Sequence, residues 1–127
     1  KLYLNNIPFF LDGAHNVAGA KQLRNFLSLD DKKTWIIIGM LNNKDIYHFL
    51  KYLKNFVEGI IALRIPNEKN SFTVKEISNV CKELNISCIK QKNISTARNY
   101  LLNKIKPEKV LITGSLYLVG RVKKSLV

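Results

Sequence analysis

Trp35–Phe56 reads WIIIGMLNNKDIYHFLKYLKNF, and two different periods meet inside it. Trp35 to Ile38 is apolar without interruption and is cut off by Gly39, the pattern of a strand covered on both faces. From Lys44 to Phe56, the residues Ile46, Phe49, Leu50, Leu53 and Phe56 recur at helical spacing. A buried strand that runs straight into an amphipathic helix is the first half of a βαβ unit, and Val57 to Ile65 supplies the next, parallel strand.

The alternation continues in both directions. Upstream, Pro8 to Leu11 is a short strand stopped by Asp12-Gly13, and His15 to Leu29 carries Val17, Ala20, Leu23, Phe26 and Leu27 at helical intervals. Downstream, Ser71 to Leu84 is helical, with Thr73 and Glu76 spaced as a capping box. Ile86 to Ile89 is a strand. A helix through Ala97, Tyr100, Leu101 and Ile105 then starts at a Ser95 or Thr96 cap and stops at Pro107. Val110 to Thr113 is the last strand, and Gly114-Ser115 opens an apolar segment that runs to Lys123-Lys124. This order predicts one doubly wound α/β domain over residues 1–127, with a mainly parallel sheet of about five or six strands and helices on both faces.

Composition narrows the function. At 46% hydrophobic and 24% charged, the 127 residues have the makeup of a folded globular chain. No apolar run approaches the ~18 residues of a membrane span, and no signal peptide is visible. The chain opens on Lys1 without an initiator methionine, as a fragment of a longer protein would. The net charge of +12 suggests nucleic acid, but lysine supplies 17 of the 21 basic residues and arginine only 4. Lys, Asn and Ile together make 45 residues, all with A/T-rich codons, so genome composition accounts for much of the lysine. Arginine, the better reader of phosphate and guanine, is not enriched, and nucleic acid is not the expected partner. Cys81 and Cys88 form no metal-ligand motif and read as two buried free thiols in a reducing cytoplasm.

In an open parallel sheet, ligands bind beyond the carboxyl ends of the strands. The least ordinary residues fall there: Asp12-Gly13-Ala14-His15-Asn16, Gly39 to Asp45 and Thr113-Gly114-Ser115. His15 and Asn16 fall in the expected first turn of a helix, where free N–H groups and the helix dipole favour an anion such as a nucleotide phosphate. Local sequence equally allows Asp12 or Asn16 to be only a cap, Lys44-Asp45 only a solvated turn, and Gly114-Ser115 only a turn with a capping hydroxyl. His48 is assigned no role. The chain holds no GxxxxGK[ST] loop and no intact GxGxxG, so it carries half of a nucleotide site and no self-sufficient enzyme.

LDGAHNVAGA (Leu11–Ala20), IIIGMLNNKD (Ile36–Asp45) and ITGSLYLVGRV (Ile112–Val122) resemble three signatures of the C-terminal domain of folylpolyglutamate synthase/dihydrofolate synthase, a branch of the Mur ligase superfamily. They span the chain in the family's order. The resemblance implies a Rossmann-like domain that closes over ATP bound, with Mg2+, mainly by a P-loop part absent from this chain. It implies a reaction in which ATP activates a pteroate or folate carboxylate as an acyl phosphate and the amino group of L-glutamate attacks it. By that resemblance Asp12 contacts the ribose region, His15 reaches the phosphates and matters for turnover, and Asn16 supports the turn. Ser115 and Tyr117 would lie in the closed active site near the glutamate, Lys44 and Asp45 would line the cleft, and no metal ligand is expected here. Two positions depart from the family pattern: Val17 stands where proline is common, and Asn43 where aspartate is. The competing readings are a stand-alone nucleotide- or anion-binding module, a basic nucleic-acid-binding domain, and the sister branch acting on cell-wall precursors, against which GSLYLVG argues.

Overall fold

A computed structural model describes residues 1–126. Six strands and five helices follow in the order β1 (Leu2–Leu4), β2 (Ile7–Leu11), α1 (Val17–Leu27), β3 (Thr34–Ile38), α2 (Ile46–Leu53), β4 (Val57–Ala62), α3 (Val74–Glu83), β5 (Cys88–Lys90), α4 (Ile94–Tyr100), β6 (Lys109–Thr113) and α5 (Leu116–Ser125). They form one sheet in the order β1-β2-β6-β3-β4-β5, parallel except for β1. The expected α/β architecture is therefore the observed one.

Strand β6, last in sequence, sits between β2 and β3 and pairs Leu111 with both Phe10 and Ile36. It is the centre of the sheet, and every residue from Lys109 to Thr113 is buried. The period of two along β3, β4 and β6 divides the core into two layers. Ile36, Ile38, Ile60, Ala62 and Leu111 face α1, α2 and α3 through Leu23, Leu27, Phe49, Leu50 and Ile77. Ile37, Ile61, Val110 and Ile112 face α4 and α5 through Ala97, Leu101, Leu118 and Val122. Each such isoleucine removed from water stabilises the fold by roughly 1.5–3 kcal/mol.

Several boundaries differ from expectation for local chemical reasons. β1 was not anticipated: Asn5 and Asn6 take φ of 51° and 66° and close a two-residue hairpin, with Leu4 facing Ile7. Helix α1 starts at Val17 because Asn16, its N-cap, accepts from the Gly19 N–H at 2.8 Å; His15 therefore lies just outside the helix. α2 starts at Ile46 behind an Asp45 cap, and its tail Lys54–Phe56 tightens into a 3-10 turn. α4 is capped by Asn93, and neither Ser95 nor Thr96 holds that position; Thr96 instead closes the capping box from inside. β4 stops at Ala62, although Leu63 and Ile65 stay buried beyond it. β5 begins at Cys88 because Asn85, at φ 57°, ends α3 in a Schellman turn, with the Ile86 N–H donating to the Cys81 carbonyl. Cys81 is buried and Cys88 partly so, both as free thiols; the adjoining Cys88 sulfur, and then burial, push the Cys81 thiol up.

The capping box of α3 is complete: Thr73 accepts from the Glu76 N–H at 3.1 Å, and Glu76 accepts from the Thr73 N–H at 2.9 Å. Thr73→Ala should cost about 1 kcal/mol of unfolding free energy in a urea titration, with no change in slope.

At the opposite end of the sheet, the Lys109 side chain is only 3% exposed, and its Nζ donates to Asp30 Oδ1 at 3.1 Å. That bond, with the Lys32 N–H, holds the Asp30 carboxyl below its usual range. A carboxylate with a depressed folded pKa stabilises the fold above its ordinary pKa near ~3.9 and loses that contribution as pH falls. Urea midpoints measured from about pH 6 to about pH 3 should fall less steeply in Asp30→Asn than in the parent chain.

Candidate functional site

The three glycine-containing turns meet beyond the carboxyl ends of β2, β6 and β3. The Asp12 N–H donates to the Ile112 carbonyl at 2.9 Å, carrying the pairing of β2 with β6 one residue past the strand. The Asp12 carboxylate then accepts from the Ala14 N–H at 2.9 Å and folds the chain over. The Ala14 carbonyl points back, accepting from the Gly114 N–H at 3.0 Å and the Thr113 hydroxyl at 3.3 Å. Two glycines make the approach possible. A Cβ on Gly13 would lie 2.3 Å from a Leu116 methyl, and one on Gly114 would lie 2.4 Å from the Gly39 carbonyl oxygen. Gly114 also takes φ +109°, a conformation side chains with a Cβ rarely adopt.

The third turn is braced from the side. The Phe72 N–H donates to the Met40 carbonyl and the Asn42 N–H to the Asn70 carbonyl, at 2.8 and 2.7 Å. Ser71, buried beside them, accepts from the Ile65 N–H and donates to the Phe72 carbonyl. These bonds fix Leu41 and Lys44 at the rim.

Where the turns converge lies a cavity of about 340 Å³ lined by His15, Leu41, Lys44, Gly114, Ser115, Leu116 and Tyr117. His15, Lys44 and Ser115 were expected at the strand ends and Tyr117 by the family resemblance, and the fold brings the four together. Nδ1 of His15 is buried and has no hydrogen-bond partner among the described residues. A buried ring nitrogen left unpaired is uncommon in a folded chain. Lys44 adds a positive charge. Ser115 caps α5, accepting from the Tyr117 and Leu118 N–H groups, which leaves its hydroxyl proton free to donate. Leu116 and Tyr117 stand 68% and 61% exposed on the outer lip.

Asp12, Asn16 and Asp45 do not line this cavity. Asp12 lines a separate hollow beneath α1 with Gln22 and Phe26. The Asn16 carboxamide caps α1. Asp45 accepts from the His48 N–H at 3.1 Å, which holds its carboxyl below the usual range, and its second oxygen meets His48 Nδ1 at 2.8 Å. Leu41 and Leu116 were not anticipated as lining. Their signal was position, each within two residues of a strand-end glycine. Among the described residues no three His, Cys, Asp or Glu side chains come together to hold a metal ion, and no helix is long and apolar enough to cross a membrane.

Residues 1–125 match the model of one protein family, the C-terminal domain of dihydrofolate synthetase. The chain belongs to that family. Across 94% of its length, this dihydrofolate synthetase C-terminal domain is 24% identical to a probable dihydrofolate synthetase of Schizosaccharomyces pombe, of which it spans 32%. Its fold superposes on the folylpolyglutamate synthase of Thermotoga maritima with a TM-score of 0.82 and 25% identity, covering 98% of this chain and 29% of that one. It also superposes on a bifunctional folylpolyglutamate synthase/dihydrofolate synthase solved with Mn, AMPPNP and L-glutamate, at a TM-score of 0.78 and 23% identity, over 98% and 30% of the two chains. The domain thus corresponds to about a third of the length of these relatives.

Proposed function

We propose that residues 1–127 form the C-terminal, nucleotide-closing domain of an ATP-dependent ligase that joins L-glutamate to dihydropteroate or a folate. The observation that carries this reading is the convergence of His15, Lys44, Ser115 and Tyr117 on one strand-end cavity in a domain of this family. The bifunctional relative solved with Mn, AMPPNP and L-glutamate supports the same ligand set.

In this reading the P-loop part of the enzyme binds most of the ATP and holds the Mg2+, which shields the phosphates' charge. This domain completes the site. His15 and the opening N–H groups of α1 meet the phosphates, since that helix end favours anions and its first donors lack intrahelical acceptors. Lys44 adds a compact positive charge where negative charge is transferred, and Ser115 and Tyr117 border the space for the incoming glutamate. Asp12 serves the ribose side from beyond the cavity, and Asn16 and Asp45 hold the turns that aim His15 and Lys44. Transfer of the γ-phosphoryl group from ATP to the acceptor carboxylate makes it an acyl phosphate and leaves ADP. The glutamate amine then forms the amide and releases phosphate. The exposed Leu116 and Tyr117 become covered when the two parts close. The free thiols of Cys81 and Cys88 fit a reducing, cytoplasmic setting.

The isolated domain should fold, turn over nothing and bind ATP only at millimolar levels, because it supplies part of the contacts. In an amide NMR titration with ATP, shifts should centre on His15, Lys44 and residues 114–117. Shifts centred elsewhere would contradict the assignment.

A further inference from the structure

We infer that Cys88 is a peroxide-reactive thiol and that Cys81 resolves it, so that a hydroperoxide closes a reversible disulfide between α3 and the edge strand β5. This site goes beyond the ligase reading and does not depend on it.

The fold brings the two sulfurs together. Helix α3 ends two residues after Cys81, and Asn85 reverses the chain, so that the Ile86 N–H returns to the Cys81 carbonyl at 2.9 Å. Strand β5 runs on from there, with Cys88 opposite Ile60 of β4. Side chains alternate along a strand, so Cys88 faces the same layer as Ile60, the layer that α3 covers. Cys81 is fully buried in that layer, while Cys88 packs against it and stays partly exposed. Ser78 stands one helical turn before Cys81 on the same side of α3.

These surroundings give the two thiols different chemistry. The Cys81 thiol donates to the Cys88 sulfur, and that contact above all holds the Cys88 thiol below its ordinary value. The Ser78 hydroxyl and the Lys90 charge act in the same direction, against the effect of partial burial. Cys81 shifts the opposite way. The sulfur that solvent can reach is therefore the one that ionises more readily, and its neighbour is shielded, as an attacking and a resolving cysteine require. No third His, Cys, Asp or Glu joins the pair to make a metal site among the described residues.

In the proposed reaction the Cys88 thiolate attacks one oxygen of hydrogen peroxide. The O–O bond breaks, leaving Cys88 as a sulfenic acid and a hydroxide that takes up the proton Cys88 gave away. The Cys81 sulfur then attacks the Cys88 sulfur, the S–O bond breaks, and the departing hydroxide takes the Cys81 proton. Two thiols and one hydrogen peroxide become one disulfide and two waters; both sulfurs are oxidised and both peroxide oxygens reduced. A dithiol reverses the step. Without Cys81, further peroxide carries the Cys88 sulfenic acid to the irreversible sulfinic acid.

Trypsin separates the two cysteines, because cleavage after Lys75, Lys82 and Lys90 places Cys81 in peptide 76–82 and Cys88 in peptide 83–90. The complete protein is treated with hydrogen peroxide, quenched with iodoacetamide, digested and read by mass spectrometry. Peptides 76–82 and 83–90 should appear linked, about 2 Da below the sum of the free peptides, and dithiothreitol should return both thiols. Before oxidation, iodoacetamide should modify Cys88 about ten-fold faster than Cys81. In Cys81→Ala, peptide 83–90 should gain about 32 Da that dithiothreitol does not remove. In Cys88→Ser, the Cys81 peptide should come through peroxide unoxidised. The parent protein decides the matter even where Cys81→Ala fails to fold. Sulfinic acid on the parent's Cys88 without linkage, two thiols that peroxide leaves untouched, or a disulfide that joins two copies on a non-reducing gel would each overturn the assignment. Equal alkylation rates for the two cysteines would overturn Cys88 as the attacking thiol.

Discussion

His15→Ala should lower kcat of the proposed complete ligase by about 10²–10³-fold, the effect of deleting one positioned donor to charge that develops in a transition state. The fold should be indifferent to the change. His15 lies before the cap of α1, its Nδ1 has no partner to lose, and the turn around it is held by the Asp12 carboxylate and the Gly114 N–H. Circular dichroism and the urea midpoint of the variant should therefore match the parent while turnover collapses. A loss in kcat without a matching rise in KM for ATP would place the contact in the transition state. Unaltered turnover would remove His15 from the chemistry.

Gly114→Ala has the opposite character: it should destabilise the domain by roughly 3 kcal/mol or more. The added methyl meets the Gly39 carbonyl oxygen at 2.4 Å and Ile38 Cγ1 at 2.8 Å, and the backbone sits at φ +109°. Neither neighbour can retreat, because Ile38 ends a fully buried strand and Gly39 follows it directly. Moving the peptide would break the Gly114-to-Ala14 hydrogen bond and displace His15, so the complete enzyme should lose activity along with stability. Gly120→Ala, four residues into α5's own sequence from Leu116 and facing open space, should be neutral or slightly stabilising in the same assay. Equal stability of the Gly114→Ala variant and the parent would mean that the three turns do not meet as described.

The central strands and their connecting helices were legible because burial on both faces writes uninterrupted apolar runs, as in Trp35–Ile38 and Val110–Thr113, and the helices between them keep a 3.6-residue stripe. The order of strands was not legible. Nothing in the local period of Val110–Thr113 says that it inserts between β2 and β3, since that follows from long-range packing. The β1–β2 hairpin escaped because Asn5-Asn6 lacks the usual glycine, although asparagine is the next residue to tolerate positive φ. For α4, Ser95 and Thr96 were the expected caps, but it is the Asn93 side chain, from two residues earlier, that reaches the Thr96 N–H.

The candidate site was legible in its kinds of residue and less so in their arrangement. Glycines at three strand ends flagged the rim, and His15, Lys44, Ser115 and Tyr117 do share one cavity. Sequence could not say that the Asp12, Asn16 and Asp45 side chains turn back to brace the backbone, because capping and ligand binding call on the same residue types. It also gave no sign that Arg64 and Arg121, far apart in sequence, come to adjoining hollows, since only the fold brings them there.

The measurement that bears most directly on the central claim is ADP release by the complete protein, with ATP, dihydropteroate and L-glutamate supplied singly and together. Sustained ADP release should require all three and should match amide product one for one, and His15→Ala should suppress it. ADP release that proceeds without glutamate, or that His15→Ala leaves intact, would contradict the assignment of this domain to a glutamate-adding ligase.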